Sequence, residues 1–466
     1  MSGFITVPDA THYWLTNGRI PLCFLEDNKQ TNRQNNPNQN DLNQSAQADN
    51  TTLKPIPSLQ AFPHQEELVA VDLEVQGNAI AAILPAGQAD TGDIPAVDLQ
   101  QGLIWPCFVD MHTHLDKGHI WPRCPNPDGT FAAALETVRK DHDNWQSDEL
   151  YHRMEFGLKC SYAHGTQAIR THLDSFGPLG KINFTVFDQL RREWSNRITL
   201  QAVCLVSLDY FLTPEAQPLA QLVAEFDGVL GAVAYMNKDL VSQLDQIFTL
   251  AKQYGLDLDF HTDESLDPQD VTLRYVAEAA LRHNFQGAIT CGHCCSLSVQ
   301  APGVVEHTLK LVNAADIGIV SLPMCNLYLQ DRQIEQTPRY RGVTLLHELA
   351  QHDIPVALAG DNCRDPFYAY GDHDGLEVFK QSVGFGLLDR PFSHWPRSLS
   401  SRPAQLMGLD NVGCLVPGSD ANMICFKARS LNELVARAQC DRVVLRRGQP
   451  ISTMLPDYSE LDRWVS

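Results

Sequence analysis

The chain has 466 residues, 44% of them hydrophobic, which is enough for one large domain with a sizeable core and an accessory domain. Its formal net charge of -21 at pH 7 argues against nucleic acid as a partner, because a phosphate backbone is bound by basic surface. No run of about 18 apolar residues and no basic, apolar leader occur, so we expect neither a membrane partner nor secretion. The 13 cysteines, several inside apolar runs, indicate reduced thiols and a cytoplasmic location.

Both ends of the chain are rich in short strand-like runs. Residues 1–105 contain several, interrupted at 27–53 by an Asn/Gln-rich stretch with too few apolar residues to offset its ordering entropy, which predicts a disordered insert. Residues 406–466 have the same strand-rich character. We therefore predict one small β-sandwich domain built from both chain ends.

Residues 106–405 have a different hydrophobic pattern, in which short apolar runs alternate with amphipathic helical stretches. There are eight such runs: "GLIWPCFVDMH", "QAIRTHLD", "LQAVCLVS", "VLGAVAYMN", "DLDFHTDE", "GAITCGHC", "IGIVSLPMCN" and "IPVALAGDN". Apolar strands that alternate with helices indicate parallel strands covered on both faces, and eight of them predict an α/β fold, a (β/α)8 TIM barrel. An open doubly wound sheet is the alternative, which the absence of a glycine-rich phosphate-binding turn disfavours.

Titratable side chains recur where four of these runs end. They end the first, fifth, sixth and eighth runs: His112, His114, His261, Glu264, His293 and Asp361. His112 and His114 are two residues apart, so on a strand both imidazoles point to one face. Catalytic groups of a TIM barrel lie at the carboxyl ends of its strands. Histidines together with a carboxylate form a ligand set suited to zinc or ferrous iron.

The segments around these residues resemble the amidohydrolase superfamily and, within it, the cytosine deaminase family. The resemblance is carried by "HTHLDKGHI", "THLDS", "FHTDES", "CGHCCS", "LPMCNLYLQDR" and "ALAGDNCRDPF", and it covers nearly the whole chain except the insert. It implies that one divalent transition metal per chain, zinc or ferrous iron, is bound by His112, His114, His261 and Asp361. It also implies that Glu264 is the proton shuttle and His293 a catalytic histidine near the metal-bound water.

These residue types suit the chemistry that the resemblance implies, which is hydrolytic deamination of a cytosine-like ring in pyrimidine metabolism. A divalent ion lowers the pKa of bound water and so supplies metal-activated hydroxide at neutral pH. Glu264 can protonate the ring nitrogen beside the attacked carbon. Asp361 can pass a proton from the water to the departing ammonia, and His293 can stabilise the developing charge.

Three substrate-binding positions depart from the best-known members of the resembled family. Asn362 replaces a second acidic residue directly after the metal-binding aspartate, Ser207 replaces a glutamine that pairs with the pyrimidine edge, and Phe367 replaces a tryptophan. These changes leave the metal chemistry intact, so they predict a pocket that tolerates a larger or differently substituted ring. Cytosine is the first expectation, and a substituted pyrimidine or a triazine is the alternative.

Two other functions stay open from the sequence. A cyclic amide hydrolase of the same superfamily usually needs two metals bridged by a carboxylated lysine after the fourth run, where Lys238 lies two residues beyond Met236. A non-catalytic binding protein is disfavoured by the complete ligand set. We expect a small heterocyclic substrate as the partner, and a homo-oligomer is compatible with the sequence.

Overall fold

The fold was analysed in a computed structural model that describes residues 4–26, 57, 64–65 and 67–465. The predicted insert at 27–53 lies outside the described residues. The strands, in chain order, are β1 (His12–Pro21), β2 (His64–Gln65), β3 (Leu68–Gln76), β4 (Ala79–Pro85), β5 (Ala96–Asp98), β6 (Leu103–Pro106), β7 (Phe108–Thr113), β8 (Thr166–Asp174), β9 (Thr199–Leu205), β10 (Leu230–Ala234), β11 (Leu258–Thr262), β12 (Ile289–His293), β13 (Ile317–Ser321), β14 (Val356–Leu358), β15 (Met423–Phe426), β16 (Val443–Arg446) and β17 (Gln449–Pro450).

The α-helices of the described residues lie mostly between the central strands. In chain order they are α1 (Cys23–Glu26), α2 (Phe131–Asp141), α3 (Ser147–His164), α4 (Pro178–Trp194), α5 (Ala216–Glu225), α6 (Leu240–Tyr254), α7 (Thr272–Arg282), α8 (Pro302–Ala314), α9 (Pro323–Leu329), α10 (Leu346–Gln351), α11 (Gly375–Gly386), α12 (Ser401–Leu406), α13 (Leu431–Ala436) and α14 (Asp462–Val465). Short 3-10 helices cover His142–Asn144, Leu208–Leu212, Cys295–Val299, Trp395–Leu399 and Tyr458–Leu461. None of the helices in the described segments is long and apolar enough to cross a bilayer.

The described residues group into two compact units. The first comprises the described part of 1–107 with Arg390–Ser400 and Asn411–Met454, and the second comprises Phe108–Asp389, Ser401–Asp410 and the residues from Leu455 onward. These groups differ from the predicted bounds because 390–400 belong to the first unit and the C-terminal residues to the second. The boundary at Cys107 also divides the first predicted apolar run, whose two halves form β6 and β7.

The first unit is built on a nine-stranded sheet that uses both ends of the chain. β1 pairs antiparallel with β3, and β6 pairs antiparallel with β15, so that N-terminal and C-terminal strands are joined in one sheet. The predicted division of this region into two packed sheets stays a prediction.

The second unit has the strand order of a TIM-barrel-type α/β fold. Strands β7 to β9 are parallel in one sheet and β10 to β14 in another. Parallel bridges Val203↔Val229 and Ser207↔Val233 join β9 to β10, and Thr113↔Asp361 joins β7 to the segment after β14. Every residue of β8, β11, β12 and β13 is buried, so none of these strands has a solvent-exposed face.

Local sequence explains the ends and the buried face of three helices of this unit. α3 ends at His164 and is capped by Gly165, whose φ of 99° lies in the left-handed region that glycine adopts readily, and β8 starts at Thr166. α4 begins with Pro178, which fits the first turn because that turn needs no backbone donor. α7 turns Leu273, Val276 and Ala280 inward on one stripe, as a helix over a sheet does.

Candidate metal centre and active site

Four side chains converge at the carboxyl ends of three strands of the second unit. His112 is in β7 and His114 follows it, His261 is in β11, and Asp361 follows β14. His112 and His114 reach the same point because alternate residues of a strand share a face. Asp361 has a φ of 63° in the left-handed region, a strained conformation of the kind that clusters at functional sites.

The converging atoms are spaced as the corners of a coordination cage. The Nε2 atom of His261 lies 3.2 Å from Nε2 of His112 and 3.5 Å from Nε2 of His114. Oδ1 of Asp361 lies 3.2 Å from Nε2 of His114 and 3.7 Å from Nε2 of His112. Ligands about 2.1 Å from a tetrahedral ion are about 3.4 Å from one another. The four distances given are therefore close to those between the ligands of a single tetrahedral ion.

The electrostatics of the cage also fit a cation. Burial lowers the pKa of His112, His114 and His261 well below the usual imidazole range, so all three are neutral and able to ligate. Burial raises the pKa of Asp361 to about 7. The carboxylate of Asp361 is buried, and its one side-chain hydrogen-bond partner among the described residues is the Cys325 thiol, a weak donor. A buried carboxylate left in this state is what a bound cation would compensate.

Glu264 and His293 lie side by side next to the cage. Oε1 of Glu264 is 3.3 Å from Nδ1 of His293, and the Nδ2 atom of Asn326 lies 3.4 Å from that oxygen and 2.9 Å from that nitrogen. Burial, followed by the charge of Asp361, raises the pKa of Glu264 well above its usual range. Burial lowers the pKa of His293 to about 3. The pair is therefore a carboxylic acid beside a neutral imidazole.

The orientation of Asn326 selects a tautomer of His293. Its amide nitrogen faces both neighbours and can only donate, so Nδ1 of His293 accepts and the ring proton resides on Nε2. That Nε2 atom is buried and has no hydrogen-bond partner in the described part of the chain. The backbone of His293 has a φ of 69°, which is a second strained conformation at this site.

One pocket of about 740 Å³, its mouth included, contains the predicted substrate-binding residues. Ser207, Asn362 and Phe367 all line it, together with Glu264, His293 and cage residues. The Asn362 amide donates to Oδ2 of Asp365 at 2.7 Å, which holds the side chain in place. The remaining lining includes four residues of α2 and two half-exposed aromatics: Phe131, Leu135, Val138, Arg139, Phe176 and Tyr235.

Lys117, Asn326 and His172 contact residues of this site, although none of them belongs to the predicted set of site residues. Lys117 is only 3% exposed, although a loop lysine is usually solvated, and its Nζ donates to Oδ1 of Asp174 at 2.7 Å while lying 3.3 Å from Nδ1 of His114. Its spacing three residues after His114 was the available signal. Asn326 lies in α9 within no recognised ligand pattern. His172 stacks on His112 with ring centroids 3.9 Å apart, and its Nε2 is 3.2 Å from Asp259.

The carboxylated lysine that a two-metal cyclic amide hydrolase requires has no counterpart at the cage. Lys238 is exposed and does not line the pocket. The lysine that sequence spacing offers for this role is therefore not among the residues that line the pocket.

The chain matches a family model described as "Amidohydrolase family" over residues 217–450. A pterin deaminase of Rhizobium rhizogenes is 48% identical over 403 residues, which cover 86% of this chain and 92% of that relative. An N-isopropylammelide isopropyl amidohydrolase of Pseudomonas sp. is 22% identical over 376 residues, covering 77% of this chain and 88% of that relative.

Similarity to solved structures extends over both units. The structure of 5-methylcytosine deaminase from Klebsiella pneumoniae, liganded with 5-fluorocytosine, gives a TM-score of 0.74 at 25% identity and covers 82% of this chain and 94% of that chain.

Proposed function

This chain belongs to the amidohydrolase family, and from that premise we propose that it is a metal-dependent deaminase that hydrolyses the 2-amino group of a pterin ring. The predicted superfamily is confirmed, whereas the cytosine deaminase subgroup stays a prediction. The observation that carries the proposal is the four-ligand cage beside Glu264 in a chain 48% identical to a pterin deaminase.

The proposed metal ligands are His112, His114, His261 and Asp361. Four of the six distances between their ligand atoms are 3.2 to 3.7 Å, and the buried Asp361 carboxylate has only a thiol as its hydrogen-bond partner, which supports this assignment. A divalent ion bound there would lower the pKa of water and so provide a nucleophile at neutral pH. The ligand set suits zinc and ferrous iron alike.

Glu264 is proposed to deliver the proton that the ring requires. Attack of water at C2 of the pterin places an electron pair on an adjacent ring nitrogen, which must be protonated as the tetrahedral centre forms. Burial and the charge of Asp361 raise the pKa of Glu264 well above its usual range, which favours the protonated carboxyl group that can donate. A second proton then converts the amino group into ammonia, the C2–N bond breaks, and the ring carries an oxo group at C2.

His293 and Asp361 are proposed to manage charge around the attacked carbon. His293 has its proton on Nε2, because Asn326 donates to the other ring nitrogen, and it can stabilise negative charge as a fixed donor. Asp361 keeps one oxygen available to accept a proton from the attacking water and to pass it to the leaving amine.

The lining of the pocket favours a bicyclic ring over cytosine. Phe131, Phe176, Tyr235 and Phe367 provide flat apolar surface around the cage, which suits the extended face of a pteridine. Ser207 is short and leaves the space that a glutamine would fill. Pterin and cytosine each have an amino-bearing ring carbon bonded to an unprotonated ring nitrogen, N1 in pterin and N3 in cytosine, so the proton chemistry above applies to both rings. Cytosine, expected first from the sequence, is the smaller alternative.

The proposal is tested by comparing kcat/KM for pterin, cytosine and 5-methylcytosine in the metal-loaded protein, with ammonia release as the readout. We expect kcat/KM for pterin to exceed that for either pyrimidine by about two orders of magnitude. A smaller ring leaves apolar pocket surface unfilled and polar groups of the pocket unpaired, which typically costs about that much. A higher kcat/KM for either pyrimidine would refute the assignment of the ring and leave deamination intact.

A further inference from the structure

A second group of metal-ligating side chains lies in the second unit, outside the substrate pocket. His119 belongs to the loop after β7, Cys363 follows Asp361 by two residues, and His373 precedes α11. The ligand atoms of these three side chains all lie within 4.8 Å of one another. None of the three lines the pocket that contains the cage.

The three side chains are held together by backbone contacts between their loops. The backbone N–H of His119 donates to the carbonyl of Cys363 at 3.0 Å. The backbone N–H of His373 donates to the Cys363 sulfur. The imidazoles of His119 and His373 face each other with ring centroids 5.5 Å apart.

Three imidazole nitrogens of this group are buried and have no hydrogen-bond partner among the described residues. His119 is 1% exposed, yet neither of its ring nitrogens has a hydrogen-bond partner within residues 4–26, 57, 64–65 and 67–465. Over the same residues, Nε2 of His373 is also buried without a partner. A neutral imidazole always has one donor and one acceptor, and leaving them unmet costs about 1–3 kcal/mol for each group. Buried polar groups without partners are rare enough to require a cause.

The backbone at both histidines is strained as well. His119 has a φ of 68° and His373 a φ of 56°, so both are in the left-handed region that L side chains rarely adopt. Strain of this kind persists only where surrounding structure or a ligand enforces it. Two strained histidines that converge on one thiol are poorly explained by packing alone.

We propose that His119, Cys363 and His373 form a second metal site, selective for a borderline-soft divalent ion of the zinc class. Two imidazoles and a thiolate are the donor types that such ions prefer. Cys363 and His373 also line a small cavity that the active-site residue Asp361 borders. The ion would join the loop after β7 to the loop after β14, and both loops carry ligands of the active-site cage.

Cobalt provides a test because the two sites differ in sulfur. The protein is stripped of metal, titrated with Co(II) alone, and examined for bound ions per chain and for near-ultraviolet thiolate-to-cobalt charge transfer. We expect two ions per chain and a charge-transfer band. Cys363→Ser should lose the band and one ion. His261→Ala should lose one ion and keep the band, since the active-site cage contains no thiol.

Two further variants make the result decisive. Cys440→Ser removes an exposed thiol and should keep the band, which excludes adventitious surface binding. His373→Gln should weaken cobalt binding at the site of Cys363 by more than about 100-fold. Loss of a residue that only hydrogen-bonds to a metal ligand costs about 10- to 100-fold in metal affinity. If Cys363→Ser fails to fold, His373→Gln alone decides. Binding of one ion without a band, a band that survives Cys363→Ser, or unchanged affinity in His373→Gln would each overturn the proposal.

Discussion

Replacing Glu264 by glutamine separates proton delivery from metal binding. The amide is isosteric with the carboxylic acid, and the neighbouring Asn326 amide and His293 ring lie 3.4 and 3.3 Å from Oε1, so the local packing should survive. Glu264 is not one of the four residues of the proposed metal cage. The Glu264→Gln protein should therefore contain as much metal as the unaltered protein. What is lost is the transferable proton of a carboxyl group whose raised pKa keeps it protonated.

The expected magnitude follows from that single loss. A positioned general acid contributes about 10²- to 10⁴-fold, so kcat for pterin should fall by about two orders of magnitude or more, equivalent to about 3 kcal/mol of barrier. The assay is ammonia release at saturating pterin, normalised to measured metal content. A metal-loaded Glu264→Gln protein that retains more than about a tenth of the normal kcat would refute the role of Glu264 as proton donor.

Three other substitutions test neighbouring parts of the site. His261→Ala should abolish activity and remove the active-site ion, and full activity with a normal metal content would contradict the cage. Lys117→Met should destabilise the fold by about 3 kcal/mol in chemical denaturation, because it leaves the buried carboxylate of Asp174 without its 2.7 Å partner. The exposed Lys140→Met is the matched control and should change stability little, so equal effects would count against the buried pair. Ser207→Gln should lower kcat/KM for pterin and raise the cytosine-to-pterin ratio by about tenfold, whereas an unchanged ratio would show that this position does not set ring size.

Periodicity predicted the architecture well because it reports burial directly. Each of the eight apolar runs contains one strand of the second unit, and β8, β11, β12 and β13 are buried throughout as continuous apolar runs require. The first run was misleading in one respect, because a run of buried residues does not reveal that the chain passes from one sheet at β6 to another at β7.

Residue spacing also predicted which side chains meet at the site. The two-residue spacing of His112 and His114 and the strand-end positions of His261 and Asp361 were sufficient to expect convergence. The structure places the ligand atoms of both His112 and His114 within 3.7 Å of those of His261 and Asp361. The roles of these residues remain predictions until they are measured.

Other features depend on contacts between distant segments. Lys117 resembles any loop lysine until Asp174, 57 residues away, is found beside it. Asn326 acts through its orientation toward His293, which no local pattern encodes. The group of His119, Cys363 and His373 is assembled from residues up to 254 positions apart, and no spacing rule would have joined them.

The most direct test of the account is the fate of pterin in ¹⁸O-labelled water, followed by mass spectrometry with metal-free and metal-restored protein. Metal-dependent deamination predicts that only the metal-restored protein releases one ammonia per pterin and leaves a single ¹⁸O on the intact bicyclic product. Product formation by the metal-free protein, or a ring-opened product that has gained water and kept its nitrogen, would contradict metal-dependent deamination.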